Sequence, residues 1–220
     1  MSQSGAPPEP RRSDAARNRQ RLLDAAAEVF AAHGTKASLR DVAERAGLGI
    51  GTVYRHMPDK DAVLVVLLRP QLQQLTAVAK DALAQEDPCA SFIWLMEQTS
   101  AAMADSRALT ELLVTPGPVP SELRGHVSEV LILVGRLLER AQQTGGIRAD
   151  LATTDLPMIL AAVHTTEQTF GLLSPGIYRR ILAILIDGVR APGEHQLSSL
   201  AAPPVALEDL VRGPTYVEPR

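Results

Sequence analysis

The sequence predicts an all-α protein, a small three-helix unit followed by a larger helical body. Three observations carry that reading. Apolar residues recur three and four positions apart through most of the 220 residues, the spacing of one face of an α-helix. No strand-period alternation of useful length interrupts them, and no internal repeat of fixed period is present. Glycine and proline stand where the periodic segments must stop, at Gly34, Gly47, Pro58 and the Gly145-Gly146 pair.

Composition supports a packed fold. Apolar residues make up 45 % and charged residues 21 % of the chain, an ordinary balance for one or two globular domains. Cys89 is the one cysteine, so no intramolecular disulfide can form, which suits a reducing, cytoplasmic setting. Residues 1–10 are polar and proline-rich, without the apolar run of a secretory signal. Stretches such as 62–68 and 177–189 are too short or too interrupted by charge to span a bilayer, and no membrane role is expected. The net charge of −3 is unevenly spread: residues 1–65 hold ten Lys/Arg against eight Asp/Glu, the remainder twelve against seventeen. The front is mildly basic and the back acidic, the sign expected if the front meets phosphates.

In order along the chain, residues 1–13 read as a disordered tail with a basic Arg11-Arg12 pair. A helix follows at 14–33, where Leu22, Ala26, Val29 and Phe30 share a face and Gly34 supplies the stop. Ser38 and Asp41 form a capping pattern for a helix at 39–46, which Gly47 ends. A third helix covers 50–56, and Pro58 forbids its continuation. Another begins after Asp59 and runs to Leu68, where Pro70 is expected to kink or break it before a helix at 71–85. Amphipathic helices then occupy 89–104, 107–114, 121–144, 155–173 and 175–190, with three prolines in the 115–120 loop. Residues 191–220 carry five prolines and few apolar residues, the composition of a mostly disordered tail. Between the two tails, the helical pattern occupies residues 14–190.

The segment LRDVAERAGLGIGTVYRH, from Leu39 to His56, carries the functional signal. Ala43 is small where a second helix must cross closely. Gly47 occupies the turn, where a positive φ suits glycine. Val53 plugs the angle between the helices, joined by Val42, Ala46 and Leu48. These are the demands of a helix-turn-helix, whose second helix enters the DNA major groove. A plain helical hairpin would satisfy the apolar spacing equally well. What distinguishes this segment is a face bearing Thr52, Tyr54, Arg55 and His56, all able to hydrogen-bond phosphates or base edges. Lys60 adds to it: a cation in the first turn of a helix opposes the helix dipole by about 0.3 to 1 kcal/mol, unless a phosphate binds there with it.

The pieces RLLDAAAEVFAAHG and SLRDVAERAGLGIGTVYRHMPDKDAV resemble the TetR family of bacterial one-component regulators. The resemblance spans about residues 17–65. It implies contacts to double-stranded DNA from Thr52, Tyr54, His56 and Lys60, often with Arg40, so that the expected interface is Arg40, Ile50, Gly51, Thr52, Tyr54, Arg55, His56 and Lys60. It further implies a DNA-binding domain at 14–63, a helical ligand-binding and dimerisation domain at 64–190, and a homodimer joined through the last two long helices, on an inverted-repeat operator. The stripes Leu156, Ile159, Val163, Phe170 and Ile177, Ile181, Ile184, Leu185 suit such a four-helix interface, and suit an intramolecular core as well. Two positions depart from the family pattern. Ile50 stands where many members carry a polar residue, and Met57 replaces the usual Phe.

Beyond Pro70 no motif is specific. Trp94, Met103 and Met158, with Gln98, His164 and Glu167 as polar points, are the expected lining for a small, largely apolar effector. Simple core filling by Trp and Met is the competing reading. His164 and Glu167 lie one helical turn apart, but no further His or Cys cluster makes a metal site. No phosphate loop, nucleophile elbow or cofactor motif is present, so an enzyme is not expected. The expectation is a ligand-responsive regulator acting as a repressor; the alternative is a constitutive DNA-binding protein without a ligand.

Overall fold

The computed structural model describes residues 10–171 and 175–191, with side chains described from Arg17 onward. Nine α-helices lie within these residues: α1 (Pro10–His33), α2 (Leu39–Ala46), α3 (Ile50–His56), α4 (Lys60–Ala84), α5 (Pro88–Asp105), α6 (Arg107–Val114), α7 (Ser121–Gln143), α8 (Leu156–Phe170) and α9 (Ile177–Val189). Short 3-10 turns precede α2, at Gly34–Lys36, and α8, at Thr153–Asp155. Among the described residues the one extended pairing is an isolated antiparallel bridge between Ile147 and Arg190. It ties the end of α9 to the loop after α7, where Arg148 N–H donates to the Val189 carbonyl and Ala191 N–H to that of Gly146.

Two expectations are corrected. The first helix starts at Pro10, so residues 10–13 are helical. Proline has no N–H to lose at a helix start and its φ is already helical. Residues 1–9 and 192–220, expected as tails, lie outside the described residues. Pro70 does not break the chain either: α4 is one helix of 25 residues with Pro70 inside it. Pro70 and Val66, whose carbonyl loses its helical donor, are both on the exposed side, where water can satisfy that carbonyl. The opposite face carries Val63, Leu64, Leu68, Leu72, Leu75, Ala79 and Ala82, all buried. Burying each leucine contributes about 1.5 to 3 kcal/mol, which outweighs the roughly 3 kcal/mol cost of one interior proline.

Unbroken, α4 is long and apolar enough to pass for a membrane span by length and composition alone. Its packing gives another reason for that composition. It lies against α7 and α5 in the body and against α1 in the front unit, so the apolar face it turns inward is core. The expected boundary between domains, at 63/64, falls inside α4. One continuous core runs from Leu22, Val42 and Val53 through α4 to Leu123, Leu137 and Leu160. A second, smaller cluster joins Val163 of α8 to Tyr178, Leu182 and Ile186 of α9.

Candidate nucleic-acid interface

The front unit is built by local signals. The Ser38 hydroxyl accepts the Asp41 N–H at 3.2 Å while the Asp41 carboxylate accepts the Ser38 N–H at 2.9 Å, a reciprocal capping box. The bonds from Ser38 hold the Asp41 carboxyl below the usual carboxylate range. At the other end of α2, Gly47 takes φ 62°. Gly47 N–H donates to the Glu44 carbonyl and Leu48 N–H to that of Ala43, the bond pair of a Schellman stop. Arg21 of α1 donates to the Ala46 carbonyl at 2.6 Å, and Arg45 pairs with Glu28. Both contacts lock α2 to α1. Val53 and Val42 are fully buried, with Ala43 and Ala46 at 5 % exposure, which fixes the angle of α3.

What α3 presents is therefore set by subtraction. Its inner side is Val53; its outer side leaves Ile50, Gly51, Tyr54, Arg55 and His56 exposed, with Thr52 half-buried. Ile50 is 41 % and Tyr54 52 % exposed, large side chains that the described residues leave open to solvent. Arg55 lies back along the helix, donating to the Gly51 carbonyl at 3.3 Å and the Thr52 hydroxyl at 3.1 Å. Arg40 is exposed in the first turn of α2. Seven of the eight expected positions thus lie exposed or half-buried on α2 and α3.

Lys60 stands differently. It opens α4 behind an Asp59 cap, whose carboxylate accepts the Ala62 N–H, and its ammonium donates to the Thr35 carbonyl. The Thr35 N–H is taken in turn by the Glu111 carboxylate of α6, which also accepts from Arg107 at 3.1 Å. Burial pushes the Glu111 carboxyl up, and the bonds from Thr35 and Arg107 outweigh it, leaving it below its ordinary value. Gly34 makes the approach possible, since a Cβ there would overlap the Glu111 carboxylate. Sequence reading missed Glu111, Arg107 and Thr35. No local pattern marks a contact between residues 76 apart.

Among the described residues the expected ligand residues are spread over different surroundings. Trp94 lines an open groove of about 720 Å³ at the α4–α5 turn, with Gln85, Asp87, Ala90 and Ser91. His164 lines a separate cavity of about 280 Å³ between the end of α6 and α8, with Thr110, Glu111, Val114, Ala161 and Gln168. Met103 is packed into the core, while Gln98 and Met158 face outward. Glu167 accepts the N–H groups of Gly176 and Tyr178, each at 3.1 Å, and so starts α9. Among the described residues no group of three or more His, Cys, Asp or Glu could hold a metal ion.

A short exposed helix held at a fixed angle on a three-helix unit, joined through one long helix to a larger helical body, is the build of a transcriptional regulator. The comparisons agree. Residues 22–67 match the family model for bacterial regulatory proteins of the tetR family, and residues 87–191 that for the C-terminal domain of SbtR-like transcriptional regulators. A TetR transcription regulatory protein of Mycobacterium vanbaalenii is 31 % identical over 83 % of this chain and all of its own, with a TM-score of 0.48. The transcriptional repressor KstR of Mycolicibacterium smegmatis is 31 % identical over 130 residues, 58 % of this chain. The chain spans 64 % of that curated relative's length. FadR of Bacillus subtilis, solved with stearoyl-CoA, is 20 % identical over 78 % of this chain and 99 % of its own, with a TM-score of 0.55, a likeness of fold. The chain belongs to the TetR family. These relatives regulate transcription and are not enzymes.

Proposed function

We propose that this chain is a cytoplasmic repressor that binds an inverted-repeat operator as a homodimer and is released by a small effector. The exposed face of α3 carries the reading. Ile50, Tyr54, Arg55 and His56 offer one apolar and three polar contacts on a helix whose other side is buried, as a recognition helix requires. Gly51 supports it. An alanine Cβ there would meet no atom within 4 Å, so packing gives no reason to accept the roughly 0.5 to 1 kcal/mol that a helical glycine costs. Close approach of a DNA strand gives one.

Support for the dimer comes from α8 and α9. Of the two expected stripes, Leu156 and Val163 are consumed within the protomer. Phe170 of α8 and Ile184 of α9 are 50 % and 56 % exposed, and Met158, also on α8, 47 %, apolar surface that a partner's α8 and α9 would cover. The cavity beside His164 favours a ligand-responsive protein over a constitutive one. The test is mapping of genomic fragments bound by the full-length protein, with light scattering of the same sample. Inverted repeats and a mass twice that of the chain are expected. A monomer at micromolar concentration, or tight binding to one isolated half-site, overturns the proposal.

A further inference from the structure

His164 is 4 % exposed, and its Nε2 has no hydrogen-bond partner among the described residues. The ring is well held otherwise. It stacks on Tyr178 with centroids 5.9 Å apart, and it is hydrogen-bonded to the Ser100 backbone. Burial lowers its pKa, against opposing effects of Glu167 and of that Ser100 bond, so the ring is neutral at pH 7. A neutral imidazole has one N–H. With that N–H on the Ser100 carbonyl, Nε2 carries a lone pair and calls for a donor. An unsatisfied buried polar atom costs about 1 to 3 kcal/mol, and the residue that carries this one lines a cavity.

The rest of the lining narrows what could enter. Val114, Pro116 and Ala161 supply apolar surface. The Thr110 hydroxyl is already spent on the Met103 and Ser106 carbonyls. Glu111, ionised and on the same wall, repels anions. At about 280 Å³ the cavity sits at the lower edge of ligand sites, which run from about 300 to 1,000 Å³. Glu111 is also the residue that grips Thr35 in the reading unit, against a glycine with no room to spare.

We propose that the cavity between α6 and α8 binds a small, uncharged, hydroxyl-bearing molecule that donates to His164 Nε2 and loosens the Glu111 grip on Thr35. This rests on the reading of the chain as a ligand-responsive regulator and names the ligand class and the route of its signal. The cavity wall and the grip are one side chain, so a guest that moves the end of α6 moves both. The two readouts differ: one is at His164, the other at a backbone amide in the front unit.

The experiment uses phenol, toluene and benzoate as probes on the full-length, nitrogen-15-labelled protein. Phenol should bind roughly ten-fold tighter than toluene, the worth of one satisfied buried acceptor, and benzoate should bind more weakly than phenol. The Nε2 resonance of His164, assigned by its loss in His164→Phe, should move with phenol as a lone pair that accepts a hydrogen bond. The Thr35 amide should exchange faster with phenol present. In Glu111→Ala it should exchange fast without phenol and respond no further. Equal binding of phenol and toluene, preference for benzoate, no binding, or an unmoved Nε2 resonance overturns the ligand class. A Thr35 amide indifferent to bound phenol overturns the route. If another molecule releases the protein from DNA while these signals stay still, the regulator reading stands and this proposal falls.

Discussion

Lys60 and Glu111 grip opposite ends of the same residue: the Lys60 ammonium donates to the Thr35 carbonyl, and the Glu111 carboxylate accepts the Thr35 N–H. The first lies on the helix that leaves the reading unit, the second on a short helix of the body. The turn between α1 and α2 is thus tied to both halves of the molecule, and Lys60 already has a partner before any phosphate arrives.

That partner makes Lys60→Ala informative. If the ammonium turns from Thr35 to a phosphate when DNA binds, the variant weakens specific and random DNA alike and lowers the salt slope by about one. It also loses about 1 kcal/mol of stability in urea unfolding, the net worth of one hydrogen bond. An unchanged salt slope beside the lost stability would mean that Lys60 stays on Thr35 in the complex.

Ile50 is an exposed aliphatic side chain on the reading face, and a thymine methyl is the group on DNA that suits it. Replacing half-site thymines one at a time with uracil should reveal one position where affinity falls about four-fold, the worth of a buried methyl at about 0.8 kcal/mol. A uniform response across all thymines removes the contact.

Pro70→Ala should stabilise the protein. The position is exposed and already helical, and alanine restores the N–H that the Val66 carbonyl lacks. The helix-propensity difference is about 3 kcal/mol; part of it is offset because the unfolded chain gains freedom, so about 1 to 2 kcal/mol is expected from urea unfolding. No gain would show that the proline is accommodated without cost.

Ile184→Arg tests the dimer face. Its side chain contributes little to the protomer, being 56 % exposed, so helicity and the unfolding midpoint of the monomer should survive. Light scattering should report a single chain, and binding to an inverted repeat should fall to that of a half-site. A variant that remains dimeric places the interface elsewhere.

The sequence alone determined the elements that are closed by near neighbours. The bounds of α2, α3 and α6 agree with their expected ranges because each stop acts within a few residues: the Ser38–Asp41 box and Gly47 for α2, Pro58 beyond α3, and the Ser106 hydroxyl on the Leu109 N–H for α6. The outward face of α3 was legible for the same reason, since a seven-residue helix with one buried valine leaves its other residues to solvent. Tertiary structure decided the rest. Pro70 reads locally as a break, yet α4 continues because leucines on either side of it are buried against other helices. The six expected ligand residues have the right chemistry for a pocket, but helix packing sends Trp94 to one cavity, His164 to another, Met103 into the core and Glu167 to the start of α9. The meeting of Glu111 with Thr35 joins residues far apart in the chain. Its energy comes from a close approach over Gly34 that only the folded arrangement of α1 and α6 creates, so nothing in the neighbouring residues could have announced it.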